Sequence, residues 1–393
     1  MTRESYTVRP PVDDDEVAAL MENHRPIFAV PVERMAGYGK LVGRENFRLI
    51  TAGEKLVGGL AIVHMGQFFG GRSVPTYGIA AVGIAAQVRG RGAATELMRQ
   101  TIREAYERGC PLSTLYPATQ PVYRYAGYEQ AGCLYEITLP LDTVNMRNRS
   151  LNVRPIEEGD VETIKRVYTE SVQHCNGPLD RGHYIWSRVF KPREGQADGF
   201  LVERDSRCEG YLYYIRREGG RIFYNLKCTD LVALTPEAGR RLLTFLADHR
   251  SLAEEAVIFR SPADPMWALL AEQTCRVKLE MQWMIRINDV VKALEGRGYP
   301  TGLNSEIHLE VADDLNEANH GRFVLRIADG EGKVERGGEG RLQIDIRGLA
   351  ALYSGYRSPQ QLSTAGLLKA EPADMVAAAG AFAGTGPWMA EQF

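Results

Sequence analysis

Apolar and polar positions follow two different periods along this chain. Ala93, Ala94, Leu97, Met98, Ile102, Ala105 and Tyr106 recur at three- and four-residue spacing, which predicts an amphipathic helix. Far downstream the period is two: Ile307-His308-Leu309-Glu310-Val311, Phe323-Val324-Leu325-Arg326-Ile327 and Leu342-Gln343-Ile344-Asp345-Ile346 predict strands with one buried face. A Gly-rich stretch over 330–340 supplies their turns. Val290, Val291 and Leu294 predict a short helix closed by Gly296, Gly298 and Pro300. An Ala-rich helix over 373–383 and the apolar ending Trp388, Met389 and Phe393 complete the chain.

The first two thirds repeat themselves. Val8-Arg9-Pro10 precedes Asp13-Asp14-Asp15-Glu16-Val17, and Val153-Arg154-Pro155 precedes Glu157-Glu158-Gly159-Asp160-Val161. In each copy a short strand ends at proline and acidic residues open a helix, where they cap free N–H groups and suit the positive dipole end. Each copy then carries a Gly-marked apolar strand (56–65 and 210–215) and an apolar run leading into a helix. The expected organisation is an α/β domain over 1–145, a similar one over 146–285, and a smaller α+β domain over 286–393, with the polar stretch 140–150 as the first joint. The loop 28–43 is expected to shape an acceptor pocket.

Composition narrows the function. Lys and Arg number 47 against 50 Asp and Glu, a net charge of -3 without a basic block, which argues against a nucleic-acid partner. The cysteines Cys110, Cys133, Cys175, Cys208, Cys228 and Cys275 are scattered and no His stands at ligand spacing, so no metal is expected. Reduced thiols, a polar start (Met1-Thr2-Arg3-Glu4-Ser5) and the lack of an apolar run of roughly 20 residues lead to the expectation of a soluble cytoplasmic protein with no membrane partner.

The sharpest chemical feature is Ala81-Val82-Gly83-Ile84-Ala85-Ala86-Gln87-Val88-Arg89-Gly90-Arg91-Gly92-Ala93-Ala94-Thr95. An apolar strand enters a loop with two glycines, then a helix whose first N–H groups and dipole suit an anion. Arg89 and Arg91 add charge-assisted donors. No Lys-Ser or Lys-Thr follows the glycines, as in a Walker loop, and the three glycines of a dinucleotide fingerprint are missing. From Gln87 to Gly92 the stretch resembles the Q/R-x-x-G-x-G/A pyrophosphate loop of the GNAT acetyltransferases. With the downstream run Leu115-Tyr116-Pro117-Ala118-Thr119-Gln120-Pro121-Val122-Tyr123-Arg124-Tyr125-Ala126-Gly127-Tyr128, the chain resembles the Eis-type (enhanced intracellular survival) members of that superfamily. Their organisation is two tandem GNAT-like mixed-sheet domains followed by a sterol-carrier-protein-like domain. Ala126 departs from the phenylalanine that relatives usually carry before the Gly-Tyr pair.

That resemblance implies an acetyl-CoA-dependent N-acetyltransferase acting on primary amines of cationic small molecules, aminoglycosides and polyamines foremost. It implies coenzyme A contacts from Val82, Gly83 and Ile84, from Arg89, Gly90, Arg91, Gly92, Ala93, Ala94 and Thr95, and from Ala118 and Thr119. It implies Tyr123 as proton donor to the sulfur, with Tyr116, Tyr125 and Tyr128 as rivals in the same run. It implies the α-carboxylate of Phe393 as base, a group ordinarily near pKa 3.5 that serves only where burial raises it. It also implies a homo-hexamer. The second copy reads Thr235-Pro236-Glu237-Ala238-Gly239-Arg240, one glycine and an added acid, so one donor site per chain is expected. A protein lysine or N-terminal amine as acceptor stays open at this point, as does a non-catalytic scaffold binding coenzyme A or an apolar ligand. Asp13, Asp14, Asp15 and Glu16 read foremost as a solvated helix cap, with attraction of a polycationic acceptor as the alternative.

Overall fold

The computed structural model describes residues 5–219 and 223–393, without the side chains of Val32, Glu33 and Ala36. The polar start at residues 1–4 lies outside the described residues. The chain forms two compact units: Met1–Gly132 with Gln282–Pro387 and Phe393, and Cys133–Met281 with Trp388–Gln392.

In chain order the elements begin β1 (Tyr6–Arg9), α1 (Asp14–Phe28), α2 (Val32–Val42), β2 (Phe47–Ala52), β3 (Lys55–Phe69), β4 (Arg72–Ile84), α3 (Ala93–Glu107), β5 (Leu112–Leu115), α4 (Gln120–Tyr125) and β6 (Glu129–Pro140). There follow β7 (Asn152–Pro155), α5 (Val161–Val172), β8 (Leu179–Asp180), α6 (His183–Phe190), β9 (Asp198–Arg204), β10 (Arg207–Glu218), β11 (Tyr224–Ala233), α7 (Pro236–Ala247), β12 (Ala253–Phe259) and β13 (Arg276–Ile287). The last part holds α8 (Val290–Gly296), β14 (Ser305–Ala312), β15 (Gly321–Ala328), β16 (Glu331–Arg336), β17 (Leu342–Asp345), α9 (Ile346–Tyr353), α10 (Pro359–Thr364), β18 (Leu368–Lys369) and α11 (Pro372–Ala381).

In the first unit β1 to β4 form an antiparallel run, β4 pairs β5 in parallel, and the end of β13 pairs β5 with Met284 opposite Leu115. The core joins Ile62, Ile79 and Leu115 of the sheet to Leu97, Met98 and Ile102 of α3, the stripe read from the sequence. A second sheet of the same unit runs β16-β15-β14-β17-β18, with the alternating residues Ile307, Leu309 and Val311 buried. The second unit orders its strands β7-β9-β10-β11-β12-β6, with β11 and β12 parallel. Unit boundaries fall inside β6 and inside β13, and the polar stretch 140–150 belongs wholly to the second unit, where Leu141 and Val144 are buried.

The repeat has a shared device. Arg9 reaches forward to Glu16 at 2.5 and 2.6 Å, and Arg154 to Asp160 at 2.7 and 2.8 Å. Each arginine ties the end of a first strand to the opening of the next helix. Asp13 accepts from the Glu16 amide at 2.9 Å, so the acidic run is the helix cap expected of it. The segment 28–43, read as a loop, contains the helix α2. Gly37 and Gly39 within it weaken the local helix signal, and Gly39 stands against Met21 of α1, where a Cβ would make ordinary contact at 3.6 Å.

Candidate active site

The site starts with a fault in the pairing of β4. Gly59 faces Gly83 and Ala61 faces Ala80, so Ala81 and Val82 together oppose Leu60 as a bulge. Ala81 sits at φ 49, the left-handed region, which a non-glycine residue occupies only under constraint. The parallel pairing of β4 with β5 covers Thr76 to Gly78 and goes no further. Past Gly78 the two strands part, and among the described residues no strand pairs the β5 side of β4 through Val82, Gly83 and Ile84. Gly83 must be glycine, because a Cβ there would stand 2.7 Å from Nε2 of His24 on α1. His24 is fully buried, and burial lowers its pKa to about 4, so the ring packs as a neutral spacer. A β-branched residue at 81 cannot take this conformation cheaply. Ala81→Val is expected to destabilise the fold by about 1–3 kcal/mol in urea titration.

Beyond β4, buried Val88 pins the loop while Arg89 turns back to donate from Nε to the Ile84 carbonyl at 3.0 Å. Gly90 at φ +76 and Gly92 at φ +88 face open space, with no atom within 4 Å of where a Cβ would be. Gly92 caps α3 without any side-chain hydrogen bond, so the first-turn N–H groups of Ala93, Ala94 and Thr95 carry the helix's positive end unshielded. Glu96, the acid of that first turn, is drawn along the helix to Arg99 at 2.7 Å. Arg91 is exposed beside this opening.

Tyr123 on α4 belongs to the same apolar cluster as Ile84, Ala85, Val88 and Ala93, with Val82 and Ala94 packed against it. Burial pushes its phenol up to about 12. Its three rivals separate by environment. Tyr128 is fully buried with its hydroxyl 2.6 Å from Ser113 Oγ, and Tyr125 is 68% exposed. Tyr116 instead stacks at 5.9 Å, tilted, on the ring of Phe393. Ala118 and Thr119 are exposed just ahead of α4, and Thr119 starts that helix without capping it. Ala126 is buried, and Gly127 after it is needed because a Cβ would lie 1.9 Å from Arg286 Nη1.

Phe393 lies at the fork itself. Its ring comes within 3.0 and 3.1 Å of where a Cβ on Gly78 would stand, and Gly78 is the last β4 residue paired with β5. The sequence reading gave no role to Gly78 or His24, and it placed Ala81 at the start of the donor stretch without its left-handed conformation. Glycine inside an apolar strand was the available signal, since it marks close approach of something else.

The second unit has a similar parallel strand pair, β11 and β12, but a different loop and helix start. There Thr235 accepts from the Ala238 amide at 3.2 Å and caps α7 itself, Pro236 follows, and Glu237 sits in the first turn. Where β11 and β12 part, Arg260 donates to the Leu231 carbonyl. Among the described residues no group of three or more His, Cys, Asp or Glu is placed to hold a metal ion.

Residues 8–131 match an acetyltransferase (GNAT) domain family, 177–287 a second acetyltransferase (GNAT) domain family, and 290–390 a sterol carrier protein domain family. A GCN5-related N-acetyltransferase from Anabaena variabilis, known as a crystal structure, is 38% identical with a TM-score of 0.95, over 99% of this chain and 100% of that one. The chain belongs to the GCN5-related N-acetyltransferase family. It is an Eis-like N-acetyltransferase with tandem GNAT domains and a sterol-carrier-like C-terminal part. A GCN5-related N-acetyltransferase from Kribbella flavida is 26% identical with a TM-score of 0.89, over 100% of this chain and 99% of that chain. The "N-acetyltransferase Eis" of Mycobacterium tuberculosis is 25% identical over 322 residues, 77% of this chain and 76% of its own.

GNAT domains use acetyl-CoA as co-substrate. The first copy in this GCN5-related N-acetyltransferase fits that group: glycines open to solvent, an uncapped helix start and an unpaired strand edge stand in sequence, suited in turn to phosphate and to an amide-bearing arm. The second copy lacks the open glycines and the uncapped helix start: Gly239 is crowded by Leu269, Thr235 caps α7, and past Lys227, where β11 leaves β12, Arg260 takes the Leu231 carbonyl. No helix among the described residues is long and apolar enough to cross a membrane.

Proposed function

We propose that this chain transfers acetyl from acetyl-CoA to a primary amine of a cationic small molecule, aminoglycoside- or polyamine-like, by direct attack of the amine on the thioester. The observation that carries the reading is the seat of Phe393 at the parting of β4 and β5, on Gly78 and Tyr116. The thioester supplies an acyl group already activated for transfer. Gly90, Gly92 and the N–H groups of Ala93, Ala94 and Thr95 hold the pyrophosphate, with Arg89 and Arg91 as its counter-charges. Backbone of Val82, Gly83 and Ile84 pairs with the pantetheine arm and donates N–H to the acyl oxygen, while Ala118 and Thr119 flank the arm from the α4 side. Tyr123 protonates the departing sulfur, and the Phe393 α-carboxylate takes the amine proton. The division into a donor-binding copy over 1–145, a structural copy over 146–285 and a C-terminal part over 286–393 belongs to the same proposal, as do a cytoplasmic setting and a homo-hexamer. Free, mostly buried thiols suit that setting.

Free-thiol release from acetyl-CoA tests the reading with aminoglycosides, polyamines, arylamines and a lysine-rich peptide as acceptors. Cationic small amines are expected to lead; a leading peptide would transfer the assignment to protein amines. Tyr123→Phe is expected to lower kcat by about 10²-fold with acetyl-CoA affinity unchanged. Because burial raises Tyr123, its phenol keeps its proton below about 12, so kcat should show no alkaline loss from this group up to pH values near 10. A phenol titrating near 8 in the pH–rate profile would remove Tyr123 from the role.

A further inference from the structure

The second unit carries a recess of about 370 Å³ that no step of the transfer uses, and all of its lining residues belong to that unit. It lies between α6 and the sheet. Ile185 and Val189 of α6, Leu134 of β6 and Cys228 of β11 give it a buried apolar floor. Thr229 donates to the Val189 carbonyl at 3.0 Å and holds the end of α6 on β11. Charge is unevenly spread over the walls. Lys227 on β11 and Arg217 on β10 share one carboxylate, that of Glu194, at 2.5 and 3.3 Å. Arg188 on α6 and Arg193 just after it have no carboxylate partner among the described residues. The Arg188 guanidinium lies 5.3 Å from the Tyr184 ring, and Arg193 donates from Nη2 to the Tyr184 hydroxyl at 3.2 Å. Nε of Arg188 is buried without a hydrogen-bond partner. Next in the strand order comes β12, whose Phe259 ring has the Lys227 ammonium 5.6 Å from its centre. Glu136 of β6 stands opposite Phe259 in the register, and Glu280 of β13 follows. Glu280 is paired with Lys278, and Glu391, also on the wall, is bound to Arg181. Glu136 makes no ion pair among the described residues.

From β11 to β6 the lining thus passes from cation through an aromatic ring to acid, across two strand spacings or about 10 Å. Folding gains nothing from this arrangement. A guanidinium N–H taken out of water and given no acceptor loses its hydration with nothing in return. The contact with Tyr184 engages the flat face of a guanidinium and leaves its donor edge unused. An anionic group at that edge would accept from the fork in the bidentate way that suits carboxylate and phosphate. Glu136, on the far side of Phe259, calls for the opposite charge. We propose that this recess binds a small zwitterion, with its carboxylate or phosphate on Arg188 and Arg193, its chain over Phe259 and its ammonium at Glu136. The volume lies at the small-ligand end of binding clefts. The proposal stands whether or not the first unit transfers acetyl, since none of its residues belongs to the donor site.

Calorimetry on the full chain tests it, with coenzyme A present so that the α3 loop is filled and no acyl group is available for transfer. The probes are 6-aminohexanoate and 6-aminohexyl phosphate, the tighter of which names the anionic group; hexanoate and 1,6-diaminohexane are the comparators. Both probes are expected to bind, and hexanoate about threefold to tenfold more weakly than 6-aminohexanoate for want of the second charge. Arg188→Gln should weaken both probes at least about tenfold and leave any binding of the diamine unchanged. Glu136→Gln should erase the advantage of 6-aminohexanoate over hexanoate. Arg188→Lys keeps the charge without the planar fork, so it too should weaken both probes and serves if Arg188→Gln folds poorly by its melting temperature. Coenzyme A affinity should stay within about twofold in every variant. Equal probe affinity in the wild type and the Arg188 variants overturns the site, as does the absence of binding by calorimetry and by ligand-observed NMR. Hexanoate binding as tightly as 6-aminohexanoate to the wild type overturns the zwitterion.

Discussion

A chain carrying Arg89→Glu together with Gly92→Glu is expected to lose acetyl-CoA affinity by roughly 10²–10⁴-fold, since each hydrogen bond to a charged group contributes about 1.5–3 kcal/mol and here two are replaced by repulsion. Three effects act in one direction. The Arg89 side chain, now anchored on the Ile84 carbonyl, is replaced by an acid that can neither make that bond nor attract phosphate. A carboxylate at 92 occupies the open space in front of the α3 amides, where the dipole holds it as an internal competitor for the anion. The φ of +88 at Gly92 adds a conformational cost of about 1–2 kcal/mol for any residue with a Cβ. Gly92→Ala isolates that last effect: it meets no atom within 4 Å, so it should lower thermal stability slightly and leave binding within about tenfold. Isothermal calorimetry with acetyl-CoA decides the matter, with the melting temperature as the control for folding. An unchanged Kd in the double variant would take the phosphate contact away from this loop.

What could be read in the sequence, and what could not, divides along the range of the interactions involved. The loop and helix from Gln87 to Tyr106 were legible because glycine spacing and an apolar stripe are local properties, and both reappear in the φ values of Gly90 and Gly92 and in the buried Leu97, Met98 and Ile102. The alternation in β14, β15 and β17 was legible for the same reason. The opening in front of that loop was not. It depends on which residue of β3 faces which residue of β4, a pairing that leaves Ala81 at φ 49, and alanine gives no hint of such a conformation. Strand partners escaped for a related reason: Arg276–Ile287 reads as an ordinary apolar strand, and nothing in its pattern says that its end pairs Leu112–Leu115. The closed character of the second copy could be suspected from Pro236 and Glu237. Its physical cause lies partly in Thr235, next to them, and partly in Arg260, which no local pattern connects to Leu231.

Removing Phe393 is expected to lower kcat by about tenfold to a hundredfold while leaving acetyl-CoA binding intact, the range typical of a lost acid or base. The deletion does two things at once. It moves a terminal carboxylate back by one residue, about 3.8 Å along the chain, and it strips the ring that lies on Tyr116 and over Gly78. Two further variants separate these. Phe393→Ala keeps a carboxylate at the same backbone position but removes its anchor; adding one glycine after Phe393 keeps the ring seated and displaces the charge. If the carboxylate takes the amine proton, the glycine extension should reduce kcat nearly as far as the deletion, and its acidic limb in the pH–rate profile should change. Phe393→Ala should then lie between, since a loosely held base still reaches the amine part of the time. The opposite ranking, with Phe393→Ala as damaging as the deletion and the extended chain fully active, would make the ring a structural plug at the parting of β4 and β5. The amine would then have to lose its proton to another group or to water. The Gly78 seat supplies an independent handle on the same question: a Cβ there meets Met65 Cε at 2.7 Å and the Phe393 ring at 3.0 Å, so Gly78→Ala should unseat the ring with the terminus chemically intact. Its kinetics are expected to match those of Phe393→Ala, a correspondence that a loss of fold elsewhere would not produce.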